Sequence, residues 1–149
     1  MQIILADAKI MRDAVATEST VHTTTPLFLS KATAIAAEMA GKSVNEIAKL
    51  FSCSKAIAME NRQRFLSFSG STAVPAILTY YGQAYKYLKA NDFSPSDLTF
   101  AQDHVLTMSF LYGLLRPLDL IHLYRMPANV RLNITDGKPL QTWWRSRLT

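Results

Sequence analysis

Cysteine is almost missing from this sequence: Cys53 stands alone among 149 residues. A single thiol forms no internal disulfide and supplies no multi-thiolate zinc site. Nothing in its sequence surroundings marks a reactive thiol, so Cys53 reads as a small residue at a helix junction rather than a redox sensor. Long apolar runs are lacking too. None approaches the ~20 residues a membrane-spanning helix needs. The opening MQIILADAK puts its lysine after a short apolar run, the reverse of a secretory signal. The expectation is a cytoplasmic protein with no membrane contact. Glycine and proline are scarce, at five and six, which argues against low complexity. Gly82, Gly113 and Gly137 stand singly, so there is no glycine-rich phosphate cradle. There is no Gly-x-Ser-x-Gly elbow and no Cys–His pairing by spacing. The carboxylates are scattered, which leaves no evident acid–base couple. His22, His104 and His122 are too far apart in sequence for a ligand-spaced pair. His104 fits a helix end, where a cation faces the negative pole of the dipole. No catalytic residue, metal or cofactor is assigned.

What is present describes one globular unit. Hydrophobic residues make up 49% of the chain and charged residues 18%, too apolar for disorder. A single domain over residues 1–149 is expected, burying roughly 70% of its unfolded surface. Net charge is +5 and the pI about 9.5, a modest bias towards polyanions such as nucleic acid.

Local patterns divide the chain into short elements. Residues 2–6 read as a buried strand and residues 13–25 as a Ser/Thr-rich loop. Thr25-Pro26 predicts a helix start, with Leu27, Ile35 and Met39 on its apolar face and Gly41 as its stop. Ser43 with Glu46 has the spacing of a capping box for a second helix. Ser54 caps a third, through about Leu66, with Ile57, Ala58 and Phe65 inward and Lys55, Arg62 and Arg64 outward. Residues 43–66 thus read as helix, tight hairpin, helix. Short helices are expected over 74–78 and 80–88, on either side of Gly82. Ser94-Pro95 followed by Asp97 opens a helix to His104. Residues 105–111 suit a buried strand and 130–134 a half-exposed one. Asp136-Gly137 marks a turn, and residues 140–148 an amphipathic helix with Trp143 and Trp144. That last helix has no cap before Thr149, which suggests a truncated chain. The fold class is α/β, or mixed α+β: a small mixed sheet flanked by short helices.

The cations fall into two groups. Lys55, Arg62 and Arg64 share one predicted helix, and Arg116, Arg125 and Arg131 follow Tyr112. Six tyrosines interleave with these arginines and with Lys86 and Lys89. Arginine contacts phosphate bidentately and aromatic rings stack on bases. The same composition also fits a solvated basic face over half-buried tyrosines.

The run LYGLLRPLDL at residues 111–120 resembles the YaaA family of bacterial peroxide-stress proteins. The likeness covers nearly the whole chain and is strongest from Tyr80 to Trp144, through YYGQAYKYL, DLTFAQDHV, LYGLLRPLDLIHLYRM and GKPLQTWW. It implies a mixed α/β fold, a basic cleft and a helix–hairpin–helix element at residues 43–66. By position, Lys9 matches the lysine of the family's Ser-Pro-Ala-Lys signature, Arg116 and Asp119 its Arg-Pro-Leu-Asp, and Tyr124-Arg125 its Tyr-Arg. Here Ala6-Asp7-Ala8-Lys9 replaces the first signature and sets a carboxylate near the lysine. The resemblance also implies that family members continue for about another hundred residues, the scale of a larger domain. Residues 1–149 then correspond to an amino-terminal portion.

Together these features predict sequence-independent binding of DNA, duplex or branched, in the oxidative (hydrogen peroxide) stress response. Lys9, Lys55, Arg62, Arg64, Arg116, Arg125 and Arg131 are the expected phosphate contacts. The alternative is an enzyme acting on a nucleotide or damaged base, in a pocket of Lys9, Tyr112, Arg116, Asp119 and Tyr124. A narrow pocket around those groups favours the enzyme and a wide basic groove the binder.

Overall fold

The computed structural model describes residues 1–12 and 22–149, so most of the expected 13–25 loop lies outside the described residues. Strand β1 (Ile3–Ala6) lies parallel to β3 (Val105–Ser109), which pairs antiparallel with β4 (Gly113–Leu115). The sheet order is β1-β3-β4. A second ladder joins β2 (Val74–Pro75) to β5 (Leu120–Ile121). The class is the expected mixed α/β. One detail differs: β1 is an edge strand, and Ile3 and Ile4 are 42% and 66% exposed rather than buried. Apolar composition identifies a strand but not which side of it a neighbour covers.

Three helices form one layer. In α1 (Leu29–Ala40), Ala32, Ile35, Ala36 and Met39 recur at helical spacing and are buried. The helix begins three residues after Pro26, without a side-chain cap, and Leu27 is exposed. Thr25 is diverted: its carbonyl accepts from Arg116 Nη2 at 2.8 Å. Ser43 caps α2 (Val44–Phe51) by accepting from the Glu46 amide at 3.1 Å. The complete reciprocal box lies elsewhere, between Ser94 and Asp97 at the head of α6 (Pro95–His104). Ser54 caps α3 (Lys55–Leu66), accepting from Ile57 N. The α2–α3 connection is made by Ser52, whose left-handed φ of 50° takes the place a glycine commonly fills.

After β2 come the short helices α4 (Ala76–Thr79) and α5 (Gln83–Leu88), so residues 74–75 are strand where helix was expected. Helix α7 (Leu140–Leu148) closes the main core. Trp144 packs edge-on against Phe28 at 5.5 Å and donates Nε1–H to the Phe110 carbonyl at 2.8 Å. Such burial satisfies the indole's one polar group while its rings supply apolar area.

Residues 130–134 do not form the expected strand. Their burial alternates, but their amides point to side chains: Leu132 N to Thr135 Oγ1, and Asn133 N and Ile134 N to the two carboxylate oxygens of Glu38. With those donors taken, pairing stops at one isolated bridge, Arg131 to Pro139. Asp136-Gly137 is the expected turn, both residues having positive φ.

Candidate functional site

The parallel pairing of β1 and β3 brings their carboxyl ends side by side. Asp7, whose amide continues the ladder to Met108 O at 3.1 Å, follows β1, and Phe110 follows β3. Ligand sites in such sheets form outside these ends. Here a cavity of about 240 Å³ opens there, lined by Asp7, Ala8, Lys9, Phe110, Tyr124, Arg125, Met126, Pro127 and Ala128.

Beneath it runs a buried hydroxyl network. Tyr124 Oη lies 2.6 Å from Tyr80 Oη, 2.6 Å from Ser109 Oγ and 3.2 Å from Asp7 Oδ2. The protons can be assigned. Ser109 Oγ already accepts from the amides of Leu111 and Tyr112, which fills its acceptor sites. Its hydroxyl therefore donates to Tyr124. Tyr124 donates to the Asp7 carboxylate, which leaves Tyr80 to donate to Tyr124. Burial raises the Tyr80 and Tyr124 phenols well above 10.0, so both remain neutral donors. Burial also pushes the Asp7 carboxyl up to about 6, against the smaller opposing effect of its hydrogen bonds to Tyr124 and to backbone amides. Asp7 thus changes charge close to neutral pH.

A second cavity, about 280 Å³, adjoins the first and shares Lys9 and Arg125 with it. Its other lining residues include Ile57, Glu60, Asn61 and Arg64 of α3. A third depression continues past Arg64 along Ser67, Ser71 and Thr72. Cations from the end of β1, from α3 and from the segment after β5 therefore meet in one furrow. On two of its lining residues a buried atom, Asn61 Oδ1 and Arg125 Nε, has no hydrogen-bond partner among the described residues, as is also true of Arg116 Nε outside it. Among the described residues, Arg64 pairs with Glu60 at 2.9 Å, while Lys9 and Arg125 pair with no acid.

The other singled-out residues lie apart from this meeting point. Arg62 donates Nε–H to the Lys42 carbonyl at 2.9 Å and braces the α1–α2 turn. Lys55 is exposed at the start of α3. Arg131 donates to the Gly137 carbonyl at 2.8 Å. Arg116 and Asp119 form a 3.0 Å ion pair outside the cavity lining. Asp119 is fully buried and also accepts from Thr24 Oγ1 at 2.6 Å and Arg116 N at 2.7 Å. This pair holds the Arg-Pro-Leu-Asp turn to the Thr24-Thr25 segment. Tyr112 is buried, its ring 5.6 Å from that of Tyr124 and its hydroxyl accepting from His122 N. Tyr80, Tyr85, Tyr112 and Tyr124 are all buried, so these rings are core and offer no stacking platform.

Asp7, Asn61, Phe110 and Met126 enter the cavities without having been singled out as site residues. Only Asp7 carried a signal, as the carboxylate inserted into the lysine signature.

The sequence profile of the family described as "Peroxide stress protein YaaA" matches residues 1–149. The chain belongs to the YaaA family of peroxide stress proteins. Among its relatives is a UPF0246 protein of Bacteroides thetaiotaomicron, 41% identical over 151 residues, covering 100% of this chain and 58% of the relative. A UPF0246 protein of Bacteroides fragilis is 40% identical over the same shares, and one of Burkholderia mallei 39% identical over 153 residues. The chain spans about 58% of the length of these curated relatives. Within this YaaA-family chain the signature residues divide between two places. Lys9 and Tyr124-Arg125 line the cavity, whereas Arg116 and Asp119 brace a turn. No helix among the described residues is long and apolar enough to cross a membrane.

Proposed function

We propose that this chain binds the phosphate backbone of DNA without regard to base sequence, as part of a peroxide-stress response. One observation carries the reading: Lys9, Arg64 and Arg125, from three separate elements, line a single open depression. Neither Lys9 nor Arg125 is neutralised by an acid among the described residues. The Arg64–Glu60 pair is an i,i+4 contact with a 59% exposed partner, the kind that exchanges readily for phosphate. The α2–α3 pair supports the reading as a helix–hairpin–helix-like element. Its Ser54 cap occupies the Ile57 amide, and Lys55 beside it is exposed at the positive end of the α3 dipole.

The test is a salt titration of binding to duplex and branched DNA. Each phosphate contact contributes about 0.9 to the slope of log affinity against log salt. Arg64→Ala and Arg125→Ala should each weaken binding to every sequence alike and flatten that slope by about one contact. Arg62→Ala should lower stability, because Lys42 O loses its donor, and leave the slope unchanged. An unaltered slope in the Arg64→Ala, Arg125→Ala double variant would overturn the proposal.

A further inference from the structure

The furrow accounts for the cations but not for the apolar cavity beside them. From the geometry we infer that the two cavities meeting at Lys9 and Arg125 form one site for a nucleoside monophosphate. Its phosphate would lie on Lys9, Arg125 and Arg64, and its base against Phe110 and Met126 with Asp7 at its edge.

Size is the first argument. At about 240 and 280 Å³, each cavity is smaller than the roughly 300–1,000 Å³ usual for a ligand pocket, and joined they fall within it. Chemistry is the second. The first cavity is walled by Phe110, Met126, Pro127 and Ala128, so it accepts a flat apolar body. A hydrocarbon would leave the acceptor sites of the Asp7 carboxylate that Tyr124 does not fill facing an apolar body, which is costly in a desolvated site. A nucleobase offers an apolar face and an N–H edge together. The second cavity is polar, and Lys9, Arg64 and Arg125 on its lining supply charged donors suited to phosphate oxygens. Lys9 and Arg125 line both cavities, so their charges offset Asp7 as well as a phosphate.

The Asp7 carboxylate is also held for this use. Tyr124 fixes one of its oxygens, and Tyr124 is itself fixed by Ser109 and Tyr80. A carboxylate oriented by packing and hydrogen bonds presents its remaining acceptor sites at low entropic cost.

The site goes beyond backbone binding and can fail separately from it. The experiment is calorimetric titration of the 149-residue chain with AMP, GMP, CMP and UMP, and with inorganic phosphate and the matching nucleosides. At least one nucleotide should bind at least tenfold more tightly than phosphate or its own nucleoside, a difference of about 1.4 kcal/mol. Asp7→Asn and Arg125→Ala should each weaken that nucleotide at least fivefold, a difference of about 1 kcal/mol. Ala128→Phe, which places a ring on the lining of the apolar cavity, should abolish nucleotide binding while the circular dichroism spectrum stays that of the parent. Phosphate binding as tightly as every nucleotide, or Asp7→Asn and Ala128→Phe both binding like the parent, would overturn the inference. A lost duplex salt slope with nucleotide binding intact would instead remove the backbone reading alone.

Discussion

Tyr124 donates its hydroxyl to a carboxylate oxygen of Asp7 at 3.2 Å, across 117 positions of sequence. Tyr124 is the hub of the network, since Ser109 and Tyr80 both donate to it. Tyr124→Phe leaves two buried hydroxyls and a carboxylate short of a partner, at about 1–3 kcal/mol for a buried group left unsatisfied. Tyr80→Phe deletes a terminal donor and should cost less. Urea denaturation of the two variants checks the order, and a larger loss for Tyr80→Phe would refute the proton assignment.

Asp7 makes the stability of the chain depend on pH in the sense opposite to most carboxylates. Burial raises its pKa from 3.8 to about 6. Between those values the folded chain holds a proton that the unfolded chain releases, so unfolding free energy falls as pH rises. The contribution of Asp7 is therefore full below the unfolded value and is lost as pH climbs through the folded one. The groups around it are the neutral phenols of Tyr124, Tyr80 and Tyr85, with Lys9 and Arg125 lining the same cavity. Parent and Asp7→Asn should differ in pH profile between about pH 4 and about pH 7, the variant lacking this decline. Parallel profiles across that window would exclude Asp7 as the titrating group.

Gly113, inside the family signature, has φ of +79°, and a Cβ there would come within 2.7 Å of the Trp144 ring and 3.1 Å of Phe28. Gly113→Ala should therefore combine a strained backbone with an overpacked core, at about 2–4 kcal/mol. Thermal unfolding followed by tryptophan fluorescence reads both the loss and the displacement of Trp144. An unchanged melting temperature would show that the ring can move aside.

Asp119 belongs to the same signature and does a structural job. Its buried carboxylate receives three hydrogen bonds, two of them from Arg116. Asp119→Asn leaves the Arg116 side chain, 31% exposed, without its counter-charge and weakens three hydrogen bonds, at about 1–3 kcal/mol. Stability should fall while the salt slope of DNA binding holds. A stable Asp119→Asn chain that no longer binds would instead place Asp119 at the ligand.

Features decided within a few residues were legible in the sequence. Ser43, Ser54 and Ser94 cap the helices that their spacing announces, because a hydroxyl and an amide three residues on find each other whatever surrounds them. Helical periodicity picked out Ile35 and Met39, and the Asp136-Gly137 turn follows from backbone preference alone. Reading went astray where a distant partner intervened. Glu38 takes the amides of residues 133 and 134 and prevents a strand, and Arg116 draws away the Thr25 carbonyl ahead of α1.

By itself the sequence determined the family, the basic balance and most helix boundaries, since these depend on residue identity and near neighbours. Tertiary structure alone decided which cations share a furrow, set Asp7 against Tyr124 and turned Arg116–Asp119 into a brace. Those outcomes rest on the parallel pairing of β1 with β3 and on contacts spanning about a hundred residues. Coulombic and hydrogen-bond energies fall off over a few ångströms of space, and separation along the chain does not report that distance.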